Sequence, residues 1–338
     1  ATTDFQMTTS NWGNSFTGKN QLGVNMSMND PSGIGDMVNL GGTYMGTGMN
    51  DYSLSYILPT GSESAKLGVS YSRMHYALSG IYTSLGAYGS AKTTSIFETY
   101  ALHRSRDFNL NGRIEYDGKQ LEDVTDVPSD SQKRDNVWSV ALNGDSRDQL
   151  GGGGANSFAL TYASGHLSLN SADAVSNDVD AQTAGSYGKT NLNLNRVQAI
   201  NNRLNLNLSF MGQLANKNLD SSEKMQIGGP TGVRAYPVGE APSDEGYVFT
   251  GELRWNLPTP TLQLAAFYDN GKGILSKNPA DAAGNNRILA GAGLGLVWMP
   301  AKDYSIRLDY AWEITTSDPA TSETNSNGRL WLQAVKYF

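Results

Sequence analysis

Arg234 is the residue whose setting asks for a chemical explanation. It stands in Gly228-Gly229-Pro230-Thr231-Gly232-Val233-Arg234-Ala235-Tyr236-Pro237, between two segments of alternating polarity, and Phe267-Tyr268-Asp269-Asn270-Gly271 follows further along. A Gly/Pro-rich segment holding one arginine makes sense if the loop folds back into a polar cavity. There the guanidinium needs a carboxylate, because an unpaired buried charge is costly and its planar donor fork suits that partner. The alternative is an external loop with a solvated arginine, which contributes little.

Other reactive residue types form no site. His75, His103 and His166 lack the His-Glu-x-x-His spacing of a metal site. No Gly-x-Ser-x-Gly elbow occurs. Gly291-Ala292-Gly293-Leu294-Gly295 lies on an expected strand with no helix after it, so close packing in a curved wall explains it better than nucleotide binding. Asp173, Asp178 and Asp180 lack the spacing of a calcium loop and read as a solvated acidic loop. Gly151 to Gly154 read as a flexible turn. Cysteine is absent, which removes disulfides and thiolate metal sites. The expectation is no enzyme, no cofactor and no metal. A net charge of −7 without a basic run argues against nucleic acid as a partner.

The elements that must position Arg234 are strands. Leu204, Leu206, Leu208 and Phe210 alternate with Asn205, Asn207 and Ser209; Tyr304, Ile306, Leu308, Tyr310 and Trp312 alternate with Ser305, Arg307, Asp309 and Glu313. Such segments present one face to an apolar medium and the other to water. Sixteen are expected, at 2–10, 17–29, 36–47, 51–58, 64–79, 92–105, 108–121, 134–146, 155–168, 186–199, 202–215, 246–257, 261–270, 287–299, 303–314 and 328–338, with no convincing helix between them. Even-to-odd connections are mostly tight, among them Asp30–Gly35, Pro59–Glu63 and Pro258–Pro260; odd-to-even ones are mostly long, among them 80–91, 122–133, 169–185, 216–245, 271–286 and 315–327. Short turns on one side and long loops on the other mark an outer-membrane barrel. The mean hydropathy of −0.42 does not oppose this, because half of every strand faces a polar interior. No apolar run reaches the about 18 residues of a membrane helix. The fold class is therefore all-β: one 16-stranded antiparallel transmembrane barrel over 1–338, with a long loop folded into its lumen. Trp255, Trp298, Tyr304 and Trp312 near strand ends suit an interfacial girdle, and the terminal Phe338 closes an alternating strand.

Gly228-Gly229-Pro230-Thr231-Gly232-Val233-Arg234-Ala235-Tyr236, then Asp244-Glu245-Gly246-Tyr247 and Gly251-Glu252-Leu253-Arg254, resemble the motifs of the two-partner secretion transporter (TpsB) family, relatives of the BamA-type insertases. Phe267, Asp269 and Gly271 match its Phe-x-Asp-x-Gly strand. Ser10-Asn11-Trp12-Gly13-Asn14-Ser15-Phe16-Thr17-Gly18 is similar to its barrel opening, Asn29 to Asp36 to its first turn, and Tyr56-Ile57-Leu58-Pro59 to a strand end. One departure is Ala235, where the family has glycine; it fits if φ there is negative.

The resemblance implies that loop 216–245 enters the lumen and brings Arg234 toward Asp269, with Glu252 and Arg254 as further lumenal partners. It also implies outer-membrane localisation, export of a large unfolded secreted partner (a TpsA-type exoprotein such as an adhesin, haemolysin or contact-dependent inhibition toxin), contact with outer-membrane lipids and lipopolysaccharide, and a monomeric barrel. Cargo would pass residues such as Arg113, Asn205, Asn207, Gln213 and Arg307. Family members carry an amino-terminal helix and POTRA domains ahead of the barrel, so this chain is expected to be the barrel part of a longer protein and not to export by itself. The rival readings are a BamA-type insertion protein and a passive porin.

Overall fold

The computed structural model describes residues 2–61, 64–126, 129–259, 261–315 and 328–338. Sixteen strands close into one barrel in which every neighbour along the chain is hydrogen-bonded and the last pairs with the first. They are β1 (Thr2–Ser10), β2 (Gln21–Asn29), β3 (Met37–Tyr44), β4 (Met49–Pro59), β5 (Ala65–Ala77), β6 (Tyr88–Arg104), β7 (Phe108–Thr125), β8 (Ser129–Asp148), β9 (Gly154–Leu169), β10 (Gly185–Ala199), β11 (Leu204–Ala215), β12 (Glu245–Asn256), β13 (Leu262–Ile274), β14 (Asn286–Trp298), β15 (Tyr304–Glu313) and β16 (Arg329–Tyr337). Closure leaves no sheet edge, so the ladder satisfies the strand backbone in lipid.

Alternation works as the sequence indicates. On β13, Leu264 and Tyr268 are exposed on the outer wall while Ala265, Phe267 and Asp269 are buried inside. On β12, Leu253 and Trp255 point out and Val248 and Glu252 point in. Trp255, Trp298, Tyr304 and Trp312 are all exposed, as a girdle requires.

The seam between β1 and β16 runs from Gln6↔Tyr337 to Ser10↔Gln333. Beyond it the Asn11 amide mimics a peptide group: Nδ2 donates to the Leu330 carbonyl and Oδ1 accepts from the Leu332 amide, both at 2.8 Å. At the other end Phe338 donates its amide to the Phe5 carbonyl, and the two rings lie 5.1 Å apart.

Three sequence expectations need correction. The loop expected at 122–133 is mostly strand, because β7 runs to Thr125 and β8 starts at Ser129. Past the hydrocarbon both faces of a strand meet water, so hydropathy stops alternating while the ladder continues. A helix, α1 (Ala172–Ala181), stands where no helical pattern was seen. Its signals are polar: Ser171 caps it, Asp173 lies in its first turn and accepts from the Asp130 amide, and Asp178 accepts from the amides of Thr183 and Ala184. Val175 and Val179 are exposed, so no apolar face announces it. The glycines 151–154 are tied down, with Gln198 Nε2 donating to the carbonyls of Leu150, Gly151 and Gly153. Nearly all of the expected connection 315–327 lies outside the described residues, as do Glu63 and Pro260 at the ends of two tight turns.

Inside the barrel, Ile227, Val233, Ala235, Tyr236 and Ala241 of the 216–244 connection form a buried apolar cluster with Val248, Phe267, Leu289 and Ala311 of β12 to β15. Glycines on the wall make room for it. A Cβ on Gly291 would come within 2.6 Å of the Ala235 methyl, and one on Gly293 within 2.2 Å of the Phe267 ring and 2.3 Å of the Tyr310 carbonyl. The Gly291–Gly295 pattern is thus a packing surface. Gly293→Ala is expected to destabilise the folded barrel by about 1–3 kcal/mol through overpacking. The measurement is the urea midpoint of the heat-modifiable band on a gel; an unchanged midpoint would refute the packing role.

Candidate functional site

The loop reaches its position through its own backbone. Gly229 adopts φ +108°, a conformation that favours glycine, and reverses the chain. Gly228 donates to the Glu240 carbonyl and Gly229 to the Tyr236 carbonyl, each at 3.1 Å; Val233 donates to the Ile227 carbonyl at 2.8 Å. A Cβ on Gly228 would sit 2.7 Å from both the Glu240 Cβ and the Pro237 carbonyl. The two arms of the loop therefore lie too close for any other residue there. Ala235 is absent from the residues with positive φ, so its methyl is tolerated, as the sequence required.

This backbone delivers Arg234 to three carboxylates on three strands. Nε and Nη2 donate to Asp269 Oδ2 and Oδ1, both at 2.9 Å, in the two-pronged geometry that suits a carboxylate. Nη1 donates to Glu252 Oε2 at 2.7 Å and lies 3.3 Å from Asp309 Oδ2. The Arg234 amide adds a bond to Asp269 Oδ2 at 3.1 Å, and Thr250 Oγ1 donates to Asp269 Oδ1 at 2.9 Å. The Phe267 ring lies 3.3 Å beneath the guanidinium carbon. Gly271 clears space above: a Cβ there would meet Ile227 at 2.6 Å and Val233 at 3.0 Å. Trp331 donates its indole N–H to the Arg234 carbonyl at 2.7 Å.

The charges balance. Arg254 donates to Glu252 at 2.5 Å, and Arg307 donates to Glu252 and Asp309 at 2.8 Å each. Three guanidiniums thus face Glu252, Asp269 and Asp309. Burial alone would weaken the charge on Arg234; bonding to Asp269 and then Glu252 outweighs it and raises its pKa. Removing one partner from such a buried network costs about 3–5 kcal/mol, because the rest stay desolvated and unpaired. An exclusive Arg234–Asp269 pair would tolerate exchange of its two charges. Here an acid at 234 would face Glu252 and Asp309, so the exchange does not restore the site.

Every site residue named from sequence is in or beside this cluster: Gly228, Gly229, Val233, Arg234, Ala235 and Tyr236 on the loop, Glu252 and Arg254 on β12, Phe267, Asp269 and Gly271 on β13. Tyr236 is buried, its hydroxyl 2.6 Å from Thr315 Oγ1. Sequence reasoning missed Asp309 and Trp331, which alternation places on the inner face of β15 and β16 but nothing ties to Arg234. It also cast Arg307 and Gln213 as lining for cargo. Arg307 belongs to the ion cluster, and Gln213 is buried, donating to the Asp244 carbonyl at 3.0 Å.

A second anchorage escaped the sequence altogether. The arm of the loop before its tip makes a short 3-10 turn at Ser221–Glu223. Glu223 pairs with Lys119 of β7 and, at 2.8 Å, with Lys189 of β10; Asp220 pairs with Lys133 of β8 at 2.7 Å. Leu219 packs beside them among Val137, Ala163, Tyr187 and Ala215. The loop therefore crosses the lumen between two walls, β7 to β11 on one side and β12 to β16 on the other. Burial would push both carboxyls up, but Lys119 and Lys189 hold Glu223, and Lys133 holds Asp220, below the ordinary carboxylate range. Their stabilisation is therefore present at neutral pH and lost only as pH falls through those lowered values. Glu223→Gln with Asp220→Asn is expected to speed amide hydrogen exchange at 218–226 about tenfold at neutral pH, the effect of losing roughly 1.4 kcal/mol. In the wild type, acidifying through those lowered values should reduce protection at 218–226, measured against the intrinsic exchange rate at each pH, by a similar factor. Equal protection in variant and wild type would remove this anchorage.

The family model of the haemolysin secretion/activation proteins ShlB/FhaC/HecB matches residues 2–298. The Heme/hemopexin transporter protein HuxB of Haemophilus influenzae (strain 86-028NP) is 26% identical over 336 residues, covering 97% of this chain and 59% of HuxB. The chain thus spans about three-fifths of the length of that curated relative. CdiB from Escherichia coli superposes with a TM-score of 0.79 at 17% identity, covering 99% of this chain and 63% of CdiB. CdiB from Acinetobacter baumannii gives 0.76 at 17% identity, covering 100% of this chain and 60% of its own. The matched barrel and the extent of the family match together lead to one conclusion: the chain belongs to the ShlB/FhaC/HecB haemolysin secretion/activation family and is an outer-membrane β-barrel.

Proposed function

We propose that this barrel is the translocation pore through which a large secreted partner protein leaves the cell as an unfolded chain. The observation that carries the reading is the loop at 216–244, held across the lumen by Arg234 in a socket of three carboxylates. Such a loop keeps the passage closed at rest and shapes the path when cargo enters. A passive porin, which stays open, has no use for a buried guanidinium that must be neutralised by Glu252, Asp269 and Asp309. Membership of a secretion family favours export over barrel insertion.

The cargo is a TpsA-type exoprotein: an adhesin, haemolysin or contact-dependent inhibition toxin, or, by analogy with the relative described as a heme/hemopexin transporter, a haem-acquisition protein. The pore works as a monomer among outer-membrane lipids and lipopolysaccharide, with no enzymatic step and no metal or cofactor. Folding of the cargo outside pulls the chain forward. Recognition of the unfolded cargo belongs to periplasmic domains of the POTRA type, since the tight turns of this barrel offer little surface.

Arg234→Ala and Asp269→Ala are each expected to cut release of the secreted partner at least about tenfold, the minimum for losing a few kcal/mol of loop anchorage, while heat-modifiable migration shows the barrel still folded. Normal release from both variants would sink the assignment. Deleting 219–244 should raise single-channel conductance in planar bilayers, because a sixteen-stranded wall otherwise surrounds an aqueous hole. A large, steady conductance from the intact chain would mean that the loop does not close the pore.

A further inference from the structure

On the outer wall of β5 to β8, one hydrogen-bonded row carries Arg73↔Lys92↔Gln120↔Arg134. These residues point away from the lumen. Lys119 and Lys133, one position from Gln120 and Arg134, reach inward to Glu223 and Asp220. Alternation turns their neighbours outward. Arg73 and Arg134 are exposed and Lys92 is half-buried. Among the described residues, no ion pair or hydrogen bond engages the three cationic side chains, although most lumenal cations are paired. The chain as a whole carries −7, so this is no part of a generally basic surface.

The position of the row gives it meaning. Four residues nearer the membrane on the same strands lies the row Val69↔Ile96↔Tyr116↔Trp138. Val69, Ile96 and Trp138 are exposed, and the Tyr116 and Trp138 rings lie 5.0 Å apart, as aromatic residues do at an interface. Four residues are about 13 Å of strand, so the cations stand just beyond the hydrocarbon, at headgroup depth, on the side of the barrel that carries α1. The wall there has a depression of about 260 Å³ lined by Lys92, Gln120, Glu122, Gln132, Arg134 and Asn170. Glu122 closes one side of it and accepts from Ser90 Oγ at 3.3 Å.

We propose that Arg73, Lys92 and Arg134 form a site for the phosphate-bearing headgroup of a glycolipid in the outer leaflet. Guanidinium and ammonium groups at this depth meet phosphate with little competing water. The apolar row below offers the acyl chains a wall, which a soluble anion would not use, and the glutamine and asparagine side chains in the depression can bond sugar hydroxyls. The inference rests on the outer-membrane placement of the barrel and is independent of its cargo.

The test places the 338-residue chain in phosphatidylcholine nanodiscs and titrates three probes: bisphosphorylated lipid A, dephosphorylated lipid A and soluble inorganic phosphate. Retained lipid is read by native mass spectrometry. Bisphosphorylated lipid A should bind saturably and in clear preference to the other two. Arg73→Gln, Lys92→Gln and Arg134→Gln should each weaken it about fivefold, and their combination should abolish the preference. Lys272→Gln, an outward cation on β13, should leave binding unchanged. Each variant is first checked for folding by heat-modifiable migration; if the combination fails to fold, the single variants decide. Equal retention by wild type and variants would overturn the proposal, as would equal binding of dephosphorylated lipid A. Competition by inorganic phosphate at equal concentration would mean a soluble-anion site. Failure of the wild type to enter nanodiscs would instead count against the membrane placement itself.

Discussion

A guanidinium held out of water inside a polar tube is the constraint on which the rest of this structure depends. Arg234 is desolvated by the loop that carries it and by the wall that receives it. It is tolerable there only because Asp269, Glu252 and Asp309 converge on it from three strands. Three carboxylates with one arginine would carry excess negative charge, so Arg254 and Arg307 complete the balance. The strand register places them together: Glu252 pairs with Phe267 across β12 and β13, two positions from Asp269, and Asp309 pairs with Gly295 across β14 and β15. A shift of one residue in any of these ladders would turn a charge into lipid.

Glycine is the second condition. The loop approaches the wall so closely that side chains must be missing on one side of each contact, at Gly271 and Gly273 against Ile227 and Ser243, and at Gly291 against Ala235. The result is a packed core inside a barrel of a width that would otherwise hold water. The anchorage at Glu223 and Asp220 differs in kind. It is a set of three ion bridges, from two carboxylates to three lysines, around a 3-10 turn, with Leu219 in a smaller apolar cluster beside it. A loop fastened by a dense socket at its tip and by ion bridges near its start can be released in stages. Stepwise release would suit the proposed export, in which the passage clears for a chain and closes again.

The outer wall obeys a different solvent. Apolar and aromatic side chains cover it at membrane depth, and the strands of β6 to β8 run on past that depth, where cations such as Lys92 and Arg134 appear. The extension explains why hydropathy alone set the ends of these strands too early. Alternation reports the medium on the two faces, and it fades where both are wet.

The strand plan was legible in the sequence because period-2 polarity is a local record of lipid outside and water inside. Sixteen segments, their parity of loop lengths and the inward face of β12 and β13 could all be read from residues such as Glu252, Leu253, Phe267 and Asp269. The loop motif identified Arg234, and the negative φ at Ala235 fits the one departure from it. What only the tertiary structure decided is partnership. Asp309, Trp331, Lys119, Lys133 and Lys189 each sit on a predictable inner face, yet sequence spacing does not say which charge meets which across a lumen. Their partners lie as many as 104 residues away, as for Lys119 and Glu223, and are brought together by closure of the barrel and by the path of one loop. The helix α1 was missed for a related reason: it is fixed by caps and by bonds to β8, not by an apolar face of its own.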